Sequence, residues 1–221
     1  MRSAISFRMP CKKMSLKNKK VLVTAGPTWV PIDAVRVISN ISSGTTGILI
    51  AREAKKKGAR VTLFLGPVTA VFRDSRIRVV PFRFFKELRS KIKKELKRVS
   101  YDFIIHAAAV SDFCPRQVIK NKAGSSKPLN LKLVPLPKII GDIRRLAGEA
   151  KVIIFKLEAG KDREALINKA KAALLKSGAD MAVANCLDPY RAYIIKRNGS
   201  VSFVSSKEVL SRRLLQELSF E

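Results

Sequence analysis

From Lys20 onward, short and almost uninterrupted apolar runs alternate with amphipathic stretches. The runs at 21–24, 60–65, 77–80, 102–110, 152–157 and 181–184 lack the apolar/polar alternation of a half-exposed strand, so they predict strands covered on both faces. Between them, apolar residues at three- and four-residue steps predict helices over 47–57, 84–99 and 162–177. Gly58 and Gly178 stand just past the first and third, where a left-handed residue closes a helix. Strand, helix, strand, repeated, predicts an α/β fold: a doubly wound, mostly parallel, Rossmann-like sheet. Late in the chain the order changes. Residues 193–196, the Asn198-Gly199 turn and residues 201–204 predict a hairpin. Ser205 and Glu208, at capping-box spacing before Val209, Leu210, Leu214, Leu215 and Leu218, predict a closing helix. The stretch 114–137 has no clear periodicity; a loop that long in a compact α/β domain is a functional flap or an interface arm.

The 221 residues suit one large domain or two small ones. With 47% hydrophobic residues the chain can bury a core, which excludes global disorder. Lys and Arg total 45 and Asp and Glu 17, so the net charge is 45 − 17 = +28. Such a field attracts any polyanion, whether nucleic acid, anionic lipid or a phosphorylated small molecule. In the densest run, 83–98, Phe85, Leu88, Ile92 and Leu96 assign the basic residues to the outer face of a helix, an ordinary solvated surface. No basic and aromatic strand surface suggests base stacking, so specific nucleic-acid binding is not expected. No apolar stretch reaches the length of a membrane span, and a soluble protein is the expectation. Cys11, Cys114 and Cys186 without a CxxC pair, and the single His106, leave too few soft ligands for a zinc site. The same cysteine usage fits a reducing cytoplasm. Residues 1–18 are basic and acid-free and read as a disordered tail, with Met9 and Met14 as alternative starts; residues 19–221 read as one domain.

Ligands of a doubly wound sheet bind at the C-terminal ends of the strands. After the first predicted strand comes the small-residue turn Thr24-Ala25-Gly26-Pro27-Thr28, open to close ligand approach. It lacks the GxGxxG pattern, and no acid ends the 60–65 strand to hold a ribose hydroxyl, which disfavours a nicotinamide dehydrogenase. The segment Ser39-Asn40-Ile41-Ser42-Ser43-Gly44-Thr45-Thr46-Gly47 feeds directly into a helix, whose free N–H groups suit a phosphate. A third segment, His106-Ala107-Ala108-Ala109-Val110-Ser111-Asp112, offers three small side chains against which a flat ring can lie, with a carboxylate at its end. His106 itself reads as structural. The fourth, Lys120-Asn121-Lys122-Ala123-Gly124-Ser125-Ser126, is a cationic loop able to fold over phosphates.

In order along the chain, VLVTAGPTWVPIDAVRVISNISSGTTG, HAAAVSDF, KAGSS, LPKII, IIFKLE and MAVAN resemble phosphopantothenoylcysteine synthetase, a ligase of coenzyme A biosynthesis, over about 19–205. The resemblance implies that 4′-phosphopantothenate and L-cysteine are joined through an acyl nucleotidylate made from CTP, with ATP as the alternative, and Mg²⁺. It implies a stand-alone ligase whose late hairpin serves a homodimer. Asn40 matches an asparagine that hydrogen-bonds the acyl intermediate, a donor suited to polarising the carbonyl. Lys122 matches the lysine of a mobile loop whose charge offsets that of the triphosphate.

By the same matching Gly26, Ser43, Gly44, Gly47, Ala107, Ala108 and Asp112 line the nucleotide and substrate cleft, and Pro137, Lys138, Ile139, Ile140 and Phe155 add nucleotide contacts. Arg36 matches an arginine reaching the substrate phosphate of the adjacent protomer. A helix lysine of the family aligns with either Lys169 or Lys176. Trp29, Val30 and the IFKLE form at 154–158 depart from the bifunctional pattern and bear on nucleotide choice. Two other classes compete: a basic nucleic-acid-binding α/β module, and an NAD(P)-dependent short-chain reductase-like protein.

Overall fold

The structure is a computed structural model that describes residues 15–69, 72–158, 162–187 and 189–218. Its centre is an eight-stranded sheet in the order β12-β11-β10-β9-β6-β1-β4-β5. Six strands are parallel: β1 (Lys20–Ala25), β4 (Arg60–Leu65), β5 (Arg78–Pro81), β6 (Phe103–His106), β9 (Lys151–Leu157) and β10 (Met181–Leu187). The hairpin β11 (Tyr190–Lys196) and β12 (Val201–Val204) adds two antiparallel strands at one edge, turning at Asn198-Gly199 with Gly199 at φ +87°.

Helices cover both faces because the strands carry apolar residues on both. Alternate residues of β1 divide accordingly: Val21, Val23 and Ala25 pack with α1 (Thr45–Lys56) and α5 (Lys207–Glu217), while Leu22 packs with α2 (Phe85–Leu96), α3 (Ile139–Leu146) and α4 (Arg163–Ser177). Phe85, Leu88, Ile92 and Leu96 are the buried stripe of α2, as their spacing predicts, which leaves its lysines and arginines outward. Gly178 closes α4 in the left-handed region, and Asp162 opens it by accepting from the N–H groups of Glu164 and Ala165. No helix of the described residues is long and apolar enough to cross a membrane.

Three expectations need correction, and two elements were not foreseen. Residues 102–110 form one strand only as far as His106; beyond it the chain stays beside the turn after β1 through an isolated Pro27–Ala109 bridge. Ser206, not Ser205, caps α5, its hydroxyl accepting from Val209 N–H. The basic tail ends before residue 18, because Leu16 is buried and its N–H bonds to Lys57 O at 2.7 Å. Cys11, Met9 and Met14 lie outside the described residues. The stretch 114–137 is partly ordered as an arm, β7 (Phe113–Pro115) pairing with β8 (Leu133–Pro135). Helix α3 was not predicted, although Ile139, Ile143 and Leu146 after Pro137 carry helical spacing over its eight residues.

Glycines let α1 sit on β1. A Cβ at Gly47 would lie 2.6 Å from Ala25 Cβ and 3.1 Å from Thr24 O, a clash neither neighbour can relieve by rotation. Gly47→Ala is expected to cost about 1–3 kcal/mol, the range for overpacking a tight interface. Denaturant unfolding of the two proteins measures it; an unchanged midpoint would mean that α1 is free to back away from the sheet.

Candidate functional site

The sheet grows from β1 in one direction through β4 to β5, and in the other from β6 through β9 to β10. The crossovers therefore leave β1 and β6 on opposite sides, and the face outside the C-terminal ends of these two strands is where a doubly wound sheet offers a ligand crevice. Three of the four sequence segments converge there. The turn after β1 and the exit of β6 run side by side: Ala107 N–H bonds Thr24 O (3.2 Å), Ala109 N–H bonds Gly26 O (2.9 Å) and Thr28 N–H bonds Ala109 O (3.2 Å). Ala107, Ala108, Ala109 and Val110 are half-buried, unlike the buried Phe103, Ile104 and Ile105 before them, so the small side chains form a partly exposed wall, with Ala108 and Val110 resting on the core. Below, Thr28 and Ser111 fix the base, with Ser111 N–H donating to Thr28 Oγ1 at 2.9 Å.

Gly26 serves this geometry by its φ of +82° and by packing, since a Cβ there would meet Val68 and Gly66 rather than open space. Gly44, at φ +70°, is the residue before α1 and has no side chain to cap it; Ser43 Oγ is a long acceptor for Thr45 N–H at 3.4 Å. A Cβ on Gly44 would lie 3.2 Å from Gly26 N, so the helix N-terminus rests on the β1 turn. The N–H groups of Thr45, Thr46 and Gly47 lie in the first turn, where an α-helix supplies no acceptor, and no acid sits among them. Ser43 stands beside them, its hydroxyl 2.8 Å from Thr45 Oγ1. Such an end favours an anion by its dipole as well as its donors.

Asn40 follows β3 (Val37–Ser39), which pairs with β2 (Trp29–Pro31). Its Nδ2 donates to Ala109 O (3.1 Å) and Val110 O (3.2 Å), which places the amide on the alanine wall. Asp112, exposed at the far end of that wall, pairs with the exposed Lys138 ahead of α3. An exposed pair of this kind is worth no more than about 1 kcal/mol and opens readily to a ligand.

Of the residues matched to nucleotide contacts, Ile139, Ile140 and Phe155 have side chains packed on the core. Ile139 is buried in the core against α2 and α4, so its side chain is structural; Ile140 is partly buried on the same cluster. Pro137 and Lys138 form the entry to α3, beside Asp112. Phe155, on β9 opposite Val183, packs against the α1 and α5 face. Of the two alternative lysines, Lys169 pairs with Glu158, just past the C-terminal end of β9, at 2.8 Å, whereas Lys176 is in the last turn of α4, at the opposite end of the strands.

Arg36 was expected to face an adjacent protomer. Here it is engaged within its own chain, with Nε 3.1 Å from Asp33 Oδ2 and Nη2 donating to Ala123 O. Sequence reading missed Asp33, buried in the turn between β2 and β3; the PID stretch of the first motif was its only signal. Backbone N–H groups of Val35 and Arg36 hold its carboxyl below the usual range. Lys122 is exposed, next to Ala123 on the fourth segment.

A cavity of about 470 Å³ lies at the other end of the sheet, among Lys20, Lys55, Arg60, Arg78, Arg98 and Tyr101. Lys55 ends α1 and Arg98 follows α2, where cations balance the negative helix ends. Its position away from the strand C-termini separates it from the crevice. β4 ends at Leu65, with Gly66 next.

Comparison with known proteins now adds to this geometry. Residues 16–219 match the family described as DNA/pantothenate metabolism flavoprotein C-terminal domain. The coenzyme A biosynthesis bifunctional protein CoaBC of Thermococcus kodakarensis is 40% identical over 177 residues, covering 80% of this chain and 43% of the relative. The chain spans about half the length of the curated relatives it matches. A crystal structure of the C-terminal domain of a coenzyme A biosynthesis bifunctional protein CoaBC is 25% identical, with a TM-score of 0.78, covering 94% of this chain and 96% of that one. A Cab2 mutant in complex with phosphopantothenate-cysteine shares the fold at 20% identity, with a TM-score of 0.76, covering 91% of this chain and 87% of that one.

His106 pairs with Thr24 across β6 and β1, its Nδ1 2.9 Å from Thr24 Oγ1, and burial lowers its pKa to about 4. A histidine that binds its proton more weakly folded than unfolded, where the value is about 6.5, stabilises the fold fully above pH 6.5. That contribution is lost as pH falls toward 4. Between pH 7 and 4.5 the wild type is expected to lose about 2 kcal/mol more than His106→Gln, allowing for the ring's partial exposure. Urea unfolding at the two pH values measures it, and parallel losses would remove His106 from the pH response.

Proposed function

The chain belongs to the family of DNA/pantothenate metabolism flavoprotein C-terminal domains, and from that membership we propose that it is a nucleotide-dependent ligase joining 4′-phosphopantothenate to L-cysteine. The observation that carries the reading is the convergence of the β1 turn, the start of α1 and the alanine wall on one crevice at the strand-order reversal. A carboxylate is a poor acyl donor. In the proposed reaction its oxygen attacks the α-phosphorus of a nucleoside triphosphate and expels pyrophosphate; the cysteine amine then attacks the acyl carbon of the nucleotidylate and expels the nucleoside monophosphate.

In this scheme the first-turn N–H groups of α1, with Ser43 beside them, hold phosphate oxygens, and the base lies against Ala107 and Ala108. The Asp112 carboxylate is freed from Lys138 to accept from a ligand donor. Lys122 brings its charge to the triphosphate when the loop closes. Asn40 turns one amide hydrogen from a wall carbonyl to the oxygen of the acyl group, where negative charge develops under attack. Neither Cys114 nor Cys186 is needed, since the nucleophiles belong to the substrates. Mg²⁺ would come in with the triphosphate and would offset its charge, and Asp112 is the exposed carboxylate on the wall that would face it. CTP is the proposed nucleotide, ATP the alternative, and the working unit a cytoplasmic homodimer.

The test of the reading is pyrophosphate release from CTP or ATP. Release is expected only when 4′-phosphopantothenate is present, with cysteine consumed in equal amount; release without the acid, or none with either nucleotide, would refute it. Asn40→Ala is expected to lower turnover by about 10²–10³-fold, the effect of deleting one donor to a developing oxyanion. Its unfolding free energy should change by less than about 2 kcal/mol, the worth of two exposed hydrogen bonds. Turnover equal to wild type would leave Asn40 with only its tie to the alanine wall.

A further inference from the structure

Asp33 is a carboxylate with no solvent-exposed side-chain surface, in a turn whose formation uses only half of it. Oδ1 accepts from the N–H groups of Val35 at 2.8 Å and Arg36 at 2.7 Å, which suffices for the local turn. Oδ2 is directed to a distant segment. It accepts from Ala123 N–H at 3.1 Å, 90 residues along the chain, and pairs with Arg36 Nε. Arg36 completes the grip by donating to Ala123 O. A further strut lies four residues earlier, where Ile119 N–H donates to Ile32 O at 2.9 Å.

Of residues 120–126 all but Ala123 are exposed. The loop is therefore held to the body at Ala123 and Ile119, and Lys122 adjoins the first of these points. Both backbone groups of Ala123 are bound by charged side chains, and hydrogen bonds to charged groups are the stronger kind.

We propose that Asp33 is a positioning residue that latches the Lys122 loop onto the β2–β3 turn of its own subunit and so sets where the Lys122 ammonium stands. The latch follows from the contacts alone; its kinetic consequence rests on the proposed ligase reading.

Asp33→Asn separates the two halves of the carboxylate. The remaining oxygen can still accept from Val35 and Arg36, while the new amide group faces two donors, Ala123 N–H and Arg36 Nε–H, and cannot hold them. In the full chain, exchange of the Ala123 amide is expected to quicken by about tenfold or more, and trypsin cleavage after Lys122 with it, as for a segment whose local opening becomes easier. Ala123→Pro deletes the donor from the loop side and leaves the turn untouched; faster exchange of the Ile119 amide and faster cleavage after Lys120 are expected, and this variant serves if Asp33→Asn does not fold. Unchanged exchange and cleavage would overturn the latch.

The kinetic readout is a double-mutant cycle on phosphopantothenate-dependent pyrophosphate release. Asp33→Asn is expected to slow it about tenfold in the wild-type background and less than about twofold in a Lys122→Gln background, because a residue acting through Lys122 has nothing left to position there. Equal losses in both backgrounds would overturn the positioning role. If the wild type releases no pyrophosphate, the ligase reading fails, and amide exchange at Ala123 still decides the latch.

Discussion

The site depends on one constraint: neighbouring parallel strands whose crossovers run in opposite directions cannot have their shared C-terminal end covered by their own connections. β1 and β6 are that pair. The neighbouring segments wall this uncovered end of the sheet. Backbone bonds carry the pairing of the two strands past their ends to Ala109, and glycines at 26, 44 and 47 let the start of α1 close in from one side. Larger side chains at these glycines would push the helix end away from the β1 turn, and its N–H groups would no longer border the alanine wall.

Charge adds the second layer. The +28 excess is spread over helix faces and strand ends, and much of it is structural: Arg89 and Arg145 hold the buried Asp142, and cations sit at the ends of α1 and α2. Around the crevice the basic groups stand differently. Lys122 and Lys138 are exposed, and Arg36 is turned inward to the Lys122 loop. In the proposed reaction, exposed cations of this kind suit a ligand whose negative charge is brought in and then redistributed.

Much of this was legible in the sequence because it rests on local periodicity. Continuous apolar runs marked all six parallel strands, and the 3.6-residue stripe of Phe85, Leu88, Ile92 and Leu96 marked α2 with its buried face correctly assigned. The Asn198-Gly199 turn marked the hairpin. What escaped is what tertiary contacts decide. Helix α3 is too short for its pattern to stand out, and its Ile139 passes for a ligand contact until its burial is seen. The 102–110 run reads as one strand because small apolar residues continue after the pairing with β9 has stopped at His106. Asp33 and Ala123 are 90 residues apart, and nothing local to either announces the other. Arg36, matched by resemblance to a contact across protomers, is held within its own chain by that same pairing.

The central claim, that the β1–β6 crevice is where the ligands bind, is tested most directly by amide hydrogen exchange of the full chain with and without 4′-phosphopantothenate and a non-hydrolysable CTP analogue. The account predicts protection confined to 24–28, 40–47, 107–112 and 119–124, with the basic cavity around Arg60, Arg78 and Arg98 unchanged. Protection of that cavity, with the crevice segments exchanging as before, would contradict it.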